Sequence, residues 1–325
     1  GKKVILPGFV DSHIHPPGTA LTDLYEVSLY GLNSIEEYKD TIIKFIKNID
    51  CNNLRNWLMY NPYNLLDLDI ETIVNLLLFF ECICYSFWGD PKWTMETEEG
   101  CKDGSDALLY IMINYVKTSN NVDFTKISFD EFKHLLKGNV DIPLLKKRYE
   151  TITEVSKVVN EKMNGNFYDY IKNISLDIEL FDVIVNNFET FKDERTYNGK
   201  TIYFYKLAQL LTSDILHIRE YLENIKVDYS NLTGCADYKI PQTLRALGII
   251  EYDYELSNIV DTKQELDISS KYEVEIRASQ IVVINYIKSK LKEVKAIDIN
   301  DYLFTYSKKV KNIVSPYHLC RNTNY

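Results

Sequence analysis

The chain reads as a mainly α protein: a single multi-helix domain that carries small β-hairpins. Three observations predict this. After about residue 33, apolar residues recur at helical spacing through most of the sequence. The strongest strand-turn-strand signal, Asn198-Gly199, is flanked by short segments only. No Pro-, Gly- or Ser-rich linker divides residues 33–325, and no period of 20–50 residues marks a solenoid.

The elements follow in order. Val4-Ile5-Leu6 predicts a short strand, broken by Pro7-Gly8 and closed by Pro16-Pro17-Gly18. Behind the cap Asn33-Ser34, residues Ile35, Tyr38, Ile42, Phe45, Ile46 and Ile49 fall on one helical face. Ile70 to Cys84 is apolar nearly all round and predicts a buried helix. Trp93 to Thr97 predicts an extended piece leading into a turn at Lys102-Asp103-Gly104. Leu145, Tyr149, Ile152, Val155, Val159 and Met163 mark an amphipathic helix that Asn164-Gly165 ends. Asn198-Gly199 predicts a hairpin before Thr201 to Phe204, and helices resume over Lys206–Leu216, Pro241–Leu247 and Glu275–Val294. Pro241 suits the first position of its helix, where a missing N–H costs nothing.

Composition narrows the function classes. A chain of 325 residues supports a substantial core, and the 25 Tyr and 14 Phe predict polar-tipped rings on surfaces as well as inside. Net charge is −10, from 47 acidic against 37 basic residues. That balance argues against a large footprint on long nucleic acid but not against a single nucleotide. The six cysteines form no CxxC pair, which reads as reduced thiols of a cytoplasmic protein. The most apolar run, Ile73 to Phe80, is too short to span a membrane, and the start has no signal-peptide pattern.

Two segments carry chemistry. In Asp11-Ser12-His13-Ile14-His15, strand alternation sends His13 and His15 to one side, as a metal site requires. This segment resembles the opening of metal-dependent amidohydrolases, over residues 1–32. The remaining histidines, His134, His217 and His318, stand in no barrel-strand context, and the helices that follow cannot build an eight-stranded barrel. Residues 1–32 are therefore read as a remnant, with a His13/His15 metal enzyme as the alternative. The second segment is Gly234-Cys235-Ala236-Asp237-Tyr238-Lys239-Ile240-Pro241-Gln242, which sets one carboxylate among small residues just ahead of a helix. Asp237 is either a helix cap or a carboxylate that faces a cleft, where it could stabilise a positive centre or orient water.

Further segments stand around it: Tyr85 to Trp93, Lys102 to Ser105, Phe204 to Gln209 with Asp214, Glu273 to Ala278, and Pro316-Tyr317-His318. Together and in this order they resemble the queuosine salvage proteins, the queuosine 5′-phosphate N-glycosylase/hydrolase family, over residues 35–325. The resemblance implies one domain over residues 33–325 with a DNA-glycosylase-like helical architecture. It implies hydrolysis of the N-glycosidic bond of queuosine 5′-monophosphate, or of queuosine, releasing queuine for salvage into tRNA. No metal or redox cofactor is needed for that reaction, and the expected partner is the small substrate rather than intact nucleic acid or a membrane.

By the same resemblance Asp237 is the catalytic carboxylate, acting as nucleophile or as stabiliser and base for water. Trp88, Cys235 and Tyr238 would shape the base pocket, Lys206 would belong to the cationic wall of the cleft, Lys239 and Arg245 would be phosphate partners, and Asn300, Asp301 and Thr305 would form the polar edge of the base pocket. Each has a plainer reading. Trp88 could be a core aromatic, Lys206 a structural partner of Asp214, Arg277 a tie between helices, and Lys239 and Arg245 solvated charges. The sequence also departs from the family pattern. Cys235 stands at an often aromatic position, Asn300 and Thr305 stand where acids are expected, and Leu58 replaces a histidine ahead of Asn61-Pro62. Asn300 accepts a hydrogen bond but cannot neutralise a cation. A non-catalytic nucleobase-binding protein is the further alternative.

Overall fold

A computed structural model describes residues 42–325, apart from 48, 50–53, 55, 120–122, 292, 293 and 311–314. The strand expected at Val4 to Leu6, the cap at Asn33-Ser34, His13 and His15 all lie outside the described residues. The predicted fold class holds: helices dominate, with two two-stranded antiparallel hairpins among the described residues. These residues gather into two compact units, each assembled from separated stretches of chain.

The unit that holds Trp88 comprises Leu58–Lys192, Leu210–Asp228 and Asn322–Tyr325. Helix α1 (Ile70–Glu81) starts where the Asp69 side chain accepts the Thr72 N–H at 2.8 Å. Every residue from Ile73 to Glu81 is buried, which explains a sequence apolar on all sides. The helix stops at Glu81, short of the expected Cys84, because an arginine captures the next carbonyls. Arg148, from helix α4 (Leu145–Lys162), is fully buried and donates to the carbonyls of Ile83 and Tyr85 at close range, to Ser86 O at 3.4 Å and to Pro143 O at 2.9 Å. Its guanidinium also lies over the rings of Tyr85 and Phe87, at 4.5 and 4.7 Å. The segment that leads to Trp88 is thus irregular backbone held by Arg148, together with the Ser86 N–H, which donates to Tyr325 O at 2.9 Å.

In the first hairpin, β1 (Thr94–Thr97) pairs with β2 (Gly100–Asp103), and Thr97 opposes Gly100. The turn therefore falls at Glu98-Glu99 rather than at Lys102 to Gly104, because Lys102 and Asp103 are spent on pairing and Gly104 opens helix α2 (Gly104–Ser119). Helices α3 (Phe129–Leu135), α5 (Phe167–Ile171) and α6 (Asp177–Asn187) complete this part of the chain. α4 ends as its sequence predicts, with Asn164 left-handed and the Gly165 N–H returning to Val159 O at 3.1 Å.

The unit that holds Asp237 comprises the described residues up to Trp57, Asp193–Gln209 and Tyr229–Arg321. Its hairpin pairs β3 (Glu194–Tyr197) with β4 (Lys200–Tyr203). Asn198 and Gly199 take φ of 49° and 76°, the two left-handed positions that make Asn-Gly a hairpin signal. Helix α7 (Lys206–Glu223) contributes Lys206–Gln209 to this unit and runs beyond the expected Leu216, its residues from Leu210 on belonging to the other unit. Helices α8 (Lys239–Ala246), α9 (Tyr254–Asp261), α10 (Lys271–Lys290) and α11 (Ala296–Val310) follow. A core of Ile202, Phe204, Ala236, Val274, Ala278 and Ile281 packs the chain before α8 against α10, with an alanine contributed by each side. Among the described residues no helix is long and apolar enough to cross a membrane.

Arg148→Met keeps the apolar stem but leaves several buried carbonyls without a donor. At roughly 1–3 kcal/mol for each orphaned group, urea unfolding should show a loss of at least about 3 kcal/mol.

Candidate active site

The stretch Thr233 to Asp237 is buried for most of its length and belongs to no helix or strand, so its backbone groups need partners from side chains. They find them. Gln209 of α7 accepts the Thr233 N–H at 2.8 Å while donating to Phe204 O at 2.9 Å. Asn300 of α11 accepts the Cys235 N–H at 2.9 Å. Gln280 of α10 donates to Cys235 O at 2.6 Å and accepts the Asp237 N–H at 3.2 Å. Arg277 donates through Nε to Ala236 O at 3.0 Å. Gly234 bends the chain at φ 108°, and a Cβ there would lie 3.0 Å from Ile284 Cδ1, so the position takes glycine on two counts.

Arg277 is itself held. Its Nη1 reaches Asp193 Oδ1 and Glu273 Oε1, each at 3.1 Å, and Nη2 makes a close contact with Asp193 Oδ2. Arg195 joins the same two acids, at 3.1 Å from Asp193 and 3.4 Å from Glu273. Two cations and two anions alternate, which neutralises a cluster that would be costly to bury unpaired. The planar fork also stacks 4.0 Å from the centre of the Phe204 ring, a role that lysine could not fill.

Asp237 lies at the N-terminus of α8, which begins at Lys239 and so sets Pro241 third rather than first. Its Oδ1 accepts the N–H groups of Lys239 and Ile240 at 2.9 and 3.0 Å. The third helical position, Pro241, has no N–H to satisfy. The cap reading and the functional reading of Asp237 therefore coincide: one oxygen closes the helix end, and the other makes no hydrogen bond among the described residues. The side chain is only 8% exposed. Burial pushes its pKa up, while the charge of Lys206, the two N–H groups and the charge of Lys239 pull it back.

The other residues singled out by sequence divide. Lys206, the first residue of α7, is buried and acts on Asp237 through its charge. Cys235 is buried in the anchored loop. Tyr238 packs on Tyr317 with ring centres 4.7 Å apart, and Lys239 Nζ lies 4.4 Å from the Tyr317 ring. Asn300 and Asp301 are buried and bonded to each other at 3.3 Å, with Asn56 donating to Asp301 Oδ2 at 3.1 Å. Thr305, one turn further along α11, is half-buried. Trp88 belongs to the other unit and is buried there, as is Asp214. Arg245 is paired with Asp261 at 2.7 and 2.9 Å. Sequence reasoning missed Gln280, Gln209, Asp193 and Asn56. For Gln280 a signal exists: with Glu273 and Arg277 it forms a polar stripe at i, i+4 and i+7, on a helix whose buried positions are otherwise mostly apolar.

A family model described as queuosine salvage protein matches residues 65–325. The chain belongs to the queuosine salvage protein family. It is 29% identical over 265 residues to the queuosine 5′-phosphate N-glycosylase/hydrolase of Sphaerobacter thermophilus, covering 78% of this chain and 82% of that protein. The protein of the same name from Dictyostelium discoideum is 28% identical over 277 residues, 81% of this chain and 82% of its own length. That from Mus musculus is 30% identical over 193 residues, 56% of this chain and 57% of its own. The matched span takes in Asp237 and every residue that anchors its loop except Asn56.

The closing motif of the family resemblance also enters the core of this unit. His318 is 1% exposed, and burial together with the charge of Arg277 holds its pKa down to about 3, from an ordinary 6.5. Below about pH 6.5 the unfolded chain takes up a proton there that the folded chain refuses until about pH 3. Stability therefore falls as pH drops through this window, by up to about 1.4 kcal/mol per pH unit. His318→Gln removes that dependence. Its urea midpoint should gain on the wild type steadily between about pH 6.5 and about pH 4.5.

Proposed function

We propose that this chain hydrolyses the N-glycosidic bond of queuosine 5′-monophosphate, or of queuosine, and releases queuine for reuse in tRNA modification. The observation that carries the reading is the Asp237 carboxylate, fixed through one oxygen at a helix N-terminus, its other oxygen making no hydrogen bond among the described residues. Family membership and the names of the relatives supply the substrate class. The net charge of −10 suits a mononucleotide better than intact tRNA. The setting we infer is the cytoplasm.

The chemistry follows from the bond. As the C1′–N bond breaks, its electron pair leaves with the base and the ribose becomes oxocarbenium-like. A carboxylate beneath the sugar stabilises that charge in a site shielded from water. Water supplies the oxygen of the new C1′–O bond; one of its protons ends on the base and the other stays on the new C1′ hydroxyl. Asp237 Oδ2 serves either as nucleophile or as stabiliser and base for that water, and both routes use the same atom. The leaving 7-deazapurine has no N7 to protonate, which places more demand on polar groups near the base. The charge of Lys206 favours the ionised form of Asp237 against the cost of burial. In this reading Tyr238, Lys239 and Tyr317 form a cation-aromatic wall beside Asp237, and Asn300 and Asp301 act by holding the loop at Cys235. Thr305 remains the base-side polar candidate.

Incubation with queuosine 5′-monophosphate, with free queuine followed by mass spectrometry, tests the reading directly. Asp237→Asn should lower release by about 10³-fold or more, and unchanged release would overturn the assignment. Its amide oxygen still accepts the two N–H groups, so the variant should fold. A raised carboxyl pKa means that the folded state bears a charging cost at neutral pH, which disappears as the wild type protonates. Thermal unfolding should accordingly find Asp237→Asn the more stable protein near neutral pH, with the gap closing on acidification. Lys206→Met removes the charge that favours ionised Asp237. The acid limb of its kcat/KM profile should move to higher pH, a shift that loss of a remote structural contact would not give.

A further inference from the structure

We propose that Gln280 is the positioning residue that sets the orientation of the Asp237 carboxylate; this rests on the reading of Asp237 as the catalytic group. The argument begins with the backbone. Ala236 is a single residue flanked by two peptide groups, and Gln280 spans it, donating to Cys235 O at 2.6 Å and accepting the Asp237 N–H at 3.2 Å. Between these two contacts Arg277 holds Ala236 O at 3.0 Å. Both peptide groups that flank Ala236 are thus read, through three contacts, by one face of α10, on which Glu273, Arg277, Gln280 and Ile284 stand at i, i+4, i+7 and i+11. Beyond Asp237 its own Oδ1 is tied to Lys239 and Ile240. The residue is therefore gripped on both sides, by Gln280 through its N–H and by α8 through its carboxylate.

Only an amide meets the demand at position 280. One planar group must donate to a carbonyl and accept from an N–H two residues on, out of reach of bulk solvent, since Gln280 is fully buried. Methionine fills the same volume but offers neither bond. Ionised glutamate accepts but cannot donate, and it would turn an oxygen on Cys235 O. Protonated glutamate restores both bonds, so Gln280→Glu carries its own pH-controlled rescue. The charged groups that bear on this side chain are Asp237 ahead of α8, Lys206 of α7, Arg277 and Glu273 of α10, and Asp193 and Arg195 through Arg277; neutral His318 also lies within the field of Arg277. Burial and the carboxylate of Asp237 favour the protonated form at 280, and the cations of Lys206 and Arg277 oppose it.

The test is steady-state release of queuine from queuosine 5′-monophosphate by wild type, Gln280→Met and Gln280→Glu across about pH 5 to about pH 8. A misdirected carboxylate should lower kcat of Gln280→Met by about 10–100-fold with KM changed less than about threefold, and circular dichroism should show a cooperative melt. The ratio of Gln280→Glu to wild-type kcat should climb as pH falls, because only the protonated side chain rebuilds both bonds. Wild-type kcat in Gln280→Met, or a pH-independent ratio for Gln280→Glu, would overturn the assignment. If Gln280→Met does not melt cooperatively, the Gln280→Glu ratio decides alone. A wild type that releases no queuine removes the reaction and this inference together, whereas an active wild type matched by both variants removes this inference only.

Discussion

Arg277 sits where the interior of the Asp237 unit has to solve its hardest problem, a stretch of irregular backbone among apolar side chains. Its guanidinium binds Asp193 and Glu273, stacks on Phe204 and still spends Nε on the carbonyl of Ala236. Such a cluster is not there for net stability, since well-packed apolar groups would serve as well or better. What it supplies is a single permitted arrangement: moving the Ala236 peptide would strand a buried charge. Breaking one partner in such a set costs about 3–5 kcal/mol, enough to confine the loop to one conformation.

The same device recurs in the other unit. Arg148 gathers the carbonyls from Ile83 to Ser86 after α1 ends, while the Tyr85 and Phe87 rings cover its faces. Arg219 does likewise for the turn after α5, donating to the carbonyls of Ile171, Lys172 and Ile174. In each case a planar, permanently charged fork replaces the partners that a helix or sheet would have given the backbone. Irregular segments can then run through the interior without unsatisfied groups, and side chains such as Asp237 can be presented from positions that regular structure does not offer.

Asp237 shows how a structural role and a chemical one combine in one carboxylate. Two helix N–H groups stabilise the charge on Oδ1, Lys206 adds a cation, and burial works against both. A surface cap would have the first contribution without the last. The balance leaves a carboxylate that is ionisable yet poorly solvated, the condition under which it best stabilises a developing positive charge. Asn300 fits this picture. An acid there would face Asp301 directly, whereas its amide donates to Asp301 and still accepts the Cys235 N–H.

Local patterns were legible in the sequence because they depend on neighbours in the chain. The all-apolar α1, the Asn198-Gly199 turn and the Asn164-Gly165 stop follow from burial periodicity and left-handed backbone preferences alone, and the ordered motifs identified the family. The limits of α1 and α8 did not follow, since Arg148, 63 residues from Tyr85, holds the carbonyls past the end of the first, and Asp237 caps the second, which starts two residues ahead of Pro241. The roles of Gln280, Asp193 and Asn56 were equally hidden. Each acts on backbone or side chains distant in sequence, Asn56 lying 245 residues from Asp301, and a hydrogen bond of that kind leaves no periodic trace. The sequence by itself determined the helical class, the turn chemistry and the carboxylate at the head of a helix. Only the tertiary structure decided which oxygen of Asp237 is committed and which residues fix its loop, because those choices are made by side chains that meet only once the core has closed.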